Sequence, residues 1–171
     1  GLTLDDRLSL ITDAGQLVPG YTLASEGVEF FVHSPFAFRQ NETEVVDRNT
    51  SSLVLQATFL VGDQITKVVL ASDIDCVGLD AMISVTRSKK NESRLQWDVV
   101  KVPHHCSALS LVPERTEGAM EPAANIKWFF ENSGQEKGLL ISSSTTIKDA
   151  AENQPPHAEA AEFYGKISKA I

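Results

Sequence analysis

Two short segments hold most of the groups in this chain that can do chemistry: Ser72-Asp73-Ile74-Asp75 and Pro103-His104-His105-Cys106-Ser107. Each follows directly on an apolar run, and in α/β sheets ligands bind just beyond the carboxyl ends of the strands. If the two runs are neighbouring strands, a carboxylate and a histidine pair meet at one sheet edge. Asp with His is the donor mixture that suits zinc or another divalent first-row metal, so Asp73, His104 and His105 are the candidate metal ligands. The plainer reading of each residue is structural. An Asp after a strand is most often a turn former or a helix N-cap, and a lone His is usually a surface residue or a satisfied core one. The chain has only four histidines, and an adjacent pair after a strand and a proline is harder to dismiss. His33, which closes an apolar run, reads as structural.

Cys106 supports a rival chemistry. It follows two histidines and stands where a helix can begin, and both settings lower a thiol pKa and favour the nucleophilic thiolate. Against this, no third residue presents itself to orient the base, and Cys is more often a small buried hydrophobe. Arg87, Lys89, Lys90 and Arg94 form a local basic cluster. A phosphate contact is one reading of it and a solvated loop the plainer one.

The elements that must position these groups follow from periodicity. Val28 to His33 is a short run of β-formers closed by Ser34-Pro35, and Arg39 to Thr50 has the composition of an exposed loop. Ser52 to Leu60 and Lys67 to Ala71, joined across Gly62-Asp63-Gln64, read as an antiparallel hairpin or two neighbouring strands of one sheet. Val77 to Val85 suits a short amphipathic helix, and Arg87 to Arg94 a basic loop. Trp97 to Val102 is a strand ended by Pro103, and Ser107 to Val112 can open a helix capped by Ser107. Asn125 to Glu131 reads as a helix, Gly138 to Ile141 as a strand, and Ala158 to Ile171 as a terminal helix. Strands alternating with helices at this spacing predict a layered α/β (α+β) domain in which helices cover a mixed sheet.

Length and charge bound the rest. The 171 residues, 42% of them apolar, suit a single domain that buries about 70% of its extended-chain surface without metal or disulfide staples. The formal charge of −8 argues against general nucleic-acid binding, since little counterion release is available to an acidic surface; a nucleic-acid partner is left open only through a local patch. The longest apolar stretch, Ser52 to Val61, is far short of the ~20 residues of a membrane span. With no Arg-rich or apolar leader in view and only Cys76 and Cys106 as cysteines, the expectation is a soluble cytoplasmic chain in a reducing compartment. The sequons at Asn41, Asn49 and Asn91 read as chance.

Four segments in order resemble the C-terminal half of metallo-β-lactamase-fold hydrolases, in their ComEC-like competence-protein branch. Asn49 to Leu55 (N-T-S-S-L-V-L) is similar to N-x-S-L-V-L, and Val68 to Asp73 (V-V-L-A-S-D) to L-L-T-G-D. Asp98 to Ser107 (D-V-V-K-V-P-H-H-C-S) is similar to D-V-L-K-V-P-H-H-G-S, and Leu140-Ile141-Ser142 with Pro156-His157 resembles the closing I-I-S and H-P segments. The likeness runs from about Gly27 to the end. It implies the C-terminal half of an αββα sandwich with a one- or two-metal site at the sheet edge. Asp73 would bridge two ions about 3.5 to 4 Å apart, and His105 or His104 would be a terminal ligand. The implied reaction is hydrolysis of a phosphodiester or similar ester, with His104 and His105 as the catalytic candidates, since a histidine left free by ligation would protonate the leaving group.

The chain departs from that pattern in three ways. The principal metal motif, H-x-H-x-D-H, is absent, and the motif glycines are replaced by Ser72 and Cys106. A catalytic zinc site normally takes three protein ligands and an open position, so this chain alone is expected to be inactive. Either it is a piece of a longer protein or a degenerate domain that kept the scaffold. Its start at Gly1-Leu2, with 25 residues resembling the family's connecting region, favours the first. The expected partner is then the missing N-terminal half or a second copy; the non-enzymatic alternative is an interaction scaffold.

Overall fold

The computed structural model describes residues 3, 8, 10–36, 48–115, 120–146 and 153–169. Most of the Arg39 to Thr50 segment and the last two residues of the expected terminal helix lie outside these. A single helical turn, α1 (Leu23–Glu26), leads into β1 (Val28–Ser34), β2 (Val54–Val61) and β3 (Gln64–Ala71), which form an antiparallel meander. β2 and β3 are the expected hairpin. Gly62 opens their two-residue turn at φ 61°, a left-handed setting that glycine takes with no Cβ penalty.

Beyond Ala71 the pairing changes direction. α2 (Cys76–Ser88) returns the chain so that β4 (Trp97–Lys101) lies parallel to β3, and α3 (Ala124–Asn132) does the same for β5 (Gly134–Ile141). The order is β1-β2-β3-β4-β5. Both crossovers step across the sheet in one direction, and because such connections are right-handed they lay α2 and α3 on the same face. α4 (Ala158–Ile167) joins them through Tyr164, whose ring meets Phe130 edge-on at 5.1 Å. The fold is therefore α/β, a five-stranded mixed sheet layered against helices.

Three local expectations need correction. Ser107 to Val112 holds only a 3-10 turn, Ala108–Ser110, although Ser107 does cap it by accepting from the Leu109 N–H. Arg87 belongs to the last turn of α2, and a 3-10 turn, Glu92–Arg94, closes the basic segment. β5 starts at Gly134; its first half is polar and pairs irregularly, with Trp97 opposite Gly134 but Val99 opposite Leu139, so no alternation marked it.

The core lies on the helix side. Val54, Val69, Ala71 and Val100 pack with Leu79, Met82 and Ile83 of α2 and with Phe129 and Phe130 of α3 around Trp97. A Cβ on Gly134 would meet the Trp97 ring at 2.7 Å, so this close approach needs glycine. The other face is apolar too. One lateral row runs Leu55, Leu70, Lys101, Ile141 and the next Ala57, Val68, Val99, Leu139. Leu70, Leu139 and Ile141 stay 42%, 58% and 51% exposed, where a solvated sheet face would carry polar residues. Among the described residues no helix is long and apolar enough to cross a membrane.

His33 is structural, as its position suggested. Its Nε2–H donates to the Arg94 carbonyl at 2.9 Å, and Nδ1 lies 3.4 Å from Thr86 Oγ1, whose own hydroxyl donates to the Met82 carbonyl. Burial holds the imidazole pKa down at about 4, with the nearby Arg94 guanidinium pushing the same way. Folding therefore requires the neutral ring. Above pH 6.5 this costs nothing; as pH falls from 6.5 towards 4 the unfolded chain takes up a proton that the folded chain refuses. Urea unfolding should lose about 3 kcal/mol through this group across that window, and His33→Gln should flatten the profile there. An equally steep profile in the variant would contradict the assignment.

Candidate functional site

The parallel β3–β4 ladder, with Val68 opposite Val99 and Leu70 opposite Lys101, brings the two chemistry-bearing segments to one rim. Asp73 follows β3 by two residues, and the His104 N–H donates to the Ser72 carbonyl at 2.9 Å. His105 Nε2 then stands 3.5 Å from Asp73 Oδ1, both side chains 47% exposed. On its other side, His105 Nδ1 lies 2.9 Å from the Ser143 carbonyl and 3.2 Å from the Ser143 hydroxyl. Lys101 Nζ donates to the Ser72 carbonyl at 3.0 Å and lies 3.9 Å from Asp73 Oδ1. Burial pulls the Lys101 ammonium pKa down, and Asp73 pulls it up.

The tautomer of His105 follows from this arrangement. A carbonyl can only accept, so Nδ1 carries the proton, and in the neutral ring the Nε2 lone pair faces a carboxylate. Two half-exposed acceptors at that separation can share a bridging water or a metal ion. Ligating histidines characteristically donate their second ring N–H to a carbonyl in this way.

The other candidates are turned elsewhere. His104 lines a shallow cleft of about 130 Å³ with Asn49, Asp75, Cys76 and Leu109, and its ring plane stands 67° from that of His105. The structure thus brings His105, and not His104, to Asp73. Asp75 is the N-cap of α2: Oδ1 accepts from the Gly78 N–H at 2.7 Å, and Oδ2 accepts from the Thr50 hydroxyl. The basic cluster is divided. Arg87 stacks on Trp128 at 4.1 Å and bonds Asn125, while Arg94 pairs with Glu29. Arg87 lies in the last turn of α2 and Arg94 in the 3-10 turn beyond it, a helix length of about 20 Å from the end that follows Asp73, so these two arginines form no phosphate surface beside it.

Cys106 is only 3% exposed. Burial, with Glu159 adding, pushes its thiol up to about 11, the reverse of what the nucleophile reading requires. His104, His105 and Cys106 take φ of 47°, 54° and 67°, a left-handed run that costs each L-residue about 1–2 kcal/mol. Glycine would occupy the third position freely.

Sequence reasoning did not single out Ser143 or Lys101. The strand-end rule that found Asp73 and the histidines, applied to the strand ending at Ile141, leads directly to Ser142-Ser143-Ser144.

Among the described residues no group of three or more His, Cys, Asp and Glu side chains is arranged to hold a metal ion. Asp73 and His105 stand together as a pair.

Two outcomes check the loop. Cys106 should resist iodoacetamide in the native protein at pH 7 and react after denaturation; native labelling would restore the thiolate reading. Cys106→Gly should be more stable than Cys106→Ala by about 1 kcal/mol, measured by chemical denaturation. The opposite order would contradict the left-handed backbone.

No protein-family model matches the chain, no curated protein matches its sequence, and no solved structure matches its fold.

Proposed function

We propose that this chain forms one half of a metal-dependent hydrolase of the metallo-β-lactamase kind, acting on a phosphodiester or similar ester. Asp73 and His105 are its metal ligands, and the remaining ligands come from a covering partner. The observation that carries this reading is the approach of His105 Nε2 to the Asp73 carboxylate at 3.5 Å, with Nδ1 2.9 Å from the Ser143 carbonyl. That spacing is close to the edge of a tetrahedral zinc site, about 3.3 to 3.4 Å for bonds of 2.0 to 2.1 Å. The donor chemistry therefore fits zinc or a similar divalent ion. When bound, such an ion supplies Lewis acidity toward an ester oxygen and lowers the pKa of water. The chain's own residues fix the approach: Ser143 orients His105, and Lys101 offsets the charge of Asp73 until another cation takes its place.

The apolar second face supports the partner. Leu70, Leu139 and Ile141 are exposed beside Lys101 and lead to the Asp73 rim. A layer packed there, whether the N-terminal half of the same protein or a second copy, would bury that face and reach the site. The same uncovered face, with only two donors at its rim, also favours a second reading: a non-catalytic interaction scaffold that kept the fold.

Calorimetric titration with zinc, manganese and cobalt separates the two. Asp73→Asn and His105→Ala should each weaken binding at least tenfold while the thermal midpoint stays within a few degrees. His104→Ala should leave binding close to wild type. No binding at about 1 mM metal, or binding indifferent to both ligand substitutions, would leave the scaffold reading.

A further inference from the structure

The loop that aims His105 cannot hold its own shape. Three successive non-glycine residues, His104, His105 and Cys106, are left-handed, and such a run persists only where its surroundings over-determine it. One end is tied to the sheet by the His104 N–H on the Ser72 carbonyl, 2.9 Å. The other end is tied to His157. The His157 N–H donates to the Cys106 carbonyl at 3.0 Å, and its side-chain Nδ1 accepts from the Ala108 N–H, also at 3.0 Å.

His157 is only 3% exposed. It occupies the N-cap position of α4 without capping it by a side-chain bond, so its ring serves the loop instead. Because Nδ1 accepts the Ala108 backbone proton, its lone pair is committed to the loop.

We infer that His157 is a positioning residue: by holding Ala108 it fixes the left-handed His104–Cys106 turn and so aims His105 Nε2 at Asp73. The inference rests on the reading of Asp73 and His105 as a ligand pair, and extends it to a residue that touches neither. Loss of the Nδ1 acceptor leaves the Ala108 N–H buried and unpaired, and the cheapest escape is for the loop to relax out of its left-handed conformation. His105 would then lose the Ser143 carbonyl and its alignment with Asp73.

The test uses two amides that differ only in where they carry the acceptor. Asn puts an oxygen at the place of Nδ1, and Gln puts it one methylene further out. Long-range ¹H–¹⁵N spectra of the metal-free protein report the His105 tautomer, and zinc titration reports affinity. His157→Asn should keep the proton on His105 Nδ1 and bind zinc within about threefold of wild type. His157→Gln should lose the tautomer preference and at least tenfold in affinity, with circular dichroism showing both variants folded. If Gln leaves tautomer and affinity intact, or Asn loses them as fully as Gln, the positioning role is overturned. Failure of wild type to bind zinc would count against the metal reading alone, because the tautomer comparison still decides the role of His157. Should the Gln variant not fold, Asn decides by itself: loss of the His105 tautomer in a folded Asn variant overturns the role.

Discussion

The parallel pairing of β3 with β4 is the constraint on which the rest of the molecule depends. It sets Leu70 opposite Lys101, and from that register Asp73 and His105 emerge at one rim a few ångströms apart. Parallel neighbours need a crossover, and every feature of α2 serves it. Asp75 caps the helix start, Gly78 permits an approach in which a Cβ would meet the Thr50 carbonyl at 2.8 Å, and Leu79, Met82 and Ile83 seat the helix against the sheet. Asp75 therefore has a structural task that its neighbour Asp73 does not share. Two carboxylates two positions apart differ in role because one caps a helix and the other faces His105 and Lys101 at the rim.

The sheet meets its surroundings differently on its two faces. The helix side closes over Trp97 and the paired phenylalanines of α3, where a buried aromatic ring contributes roughly 1.5–3 kcal/mol. The opposite side carries comparable apolar character along two lateral rows, broken by Lys101, and keeps several of those side chains in water. An antiparallel sheet with one solvated face would alternate outward to polar residues. On the proposed reading that face is an interior surface waiting for its covering layer, and the two-donor rim is incomplete for the same reason.

Much of this architecture was legible in the sequence. The β2–β3 hairpin, both crossover helices and the arrival of Asp73 and the histidine segment at one rim follow from periodicity, turn residues and the strand-end rule. The choice between His104 and His105 was not legible, because it depends on a run of three left-handed residues that no local pattern announces; a non-glycine at Cys106 even argues against it. The start of β5 was hidden by a polar first half, and the short turn after Ser107 by a cap that promises more helix than Pro113 allows. Ser143 meets His105 through its backbone carbonyl as well as its hydroxyl, so its place after β5 was the signal rather than its residue type. The basic cluster looked continuous in sequence, yet Arg87 and Arg94 are spent on Trp128 and Glu29.

The central claim is that Asp73 and His105 share one divalent cation. Anomalous diffraction at the zinc edge, from crystals equilibrated with zinc, tests it most directly. The account predicts a peak bonded to both Asp73 Oδ1 and His105 Nε2 at about 2.0 to 2.2 Å, with His105 Nδ1 still held by the Ser143 carbonyl. A zinc-loaded crystal with density elsewhere, and with Asp73 paired to Lys101 and a protonated His105, would contradict it.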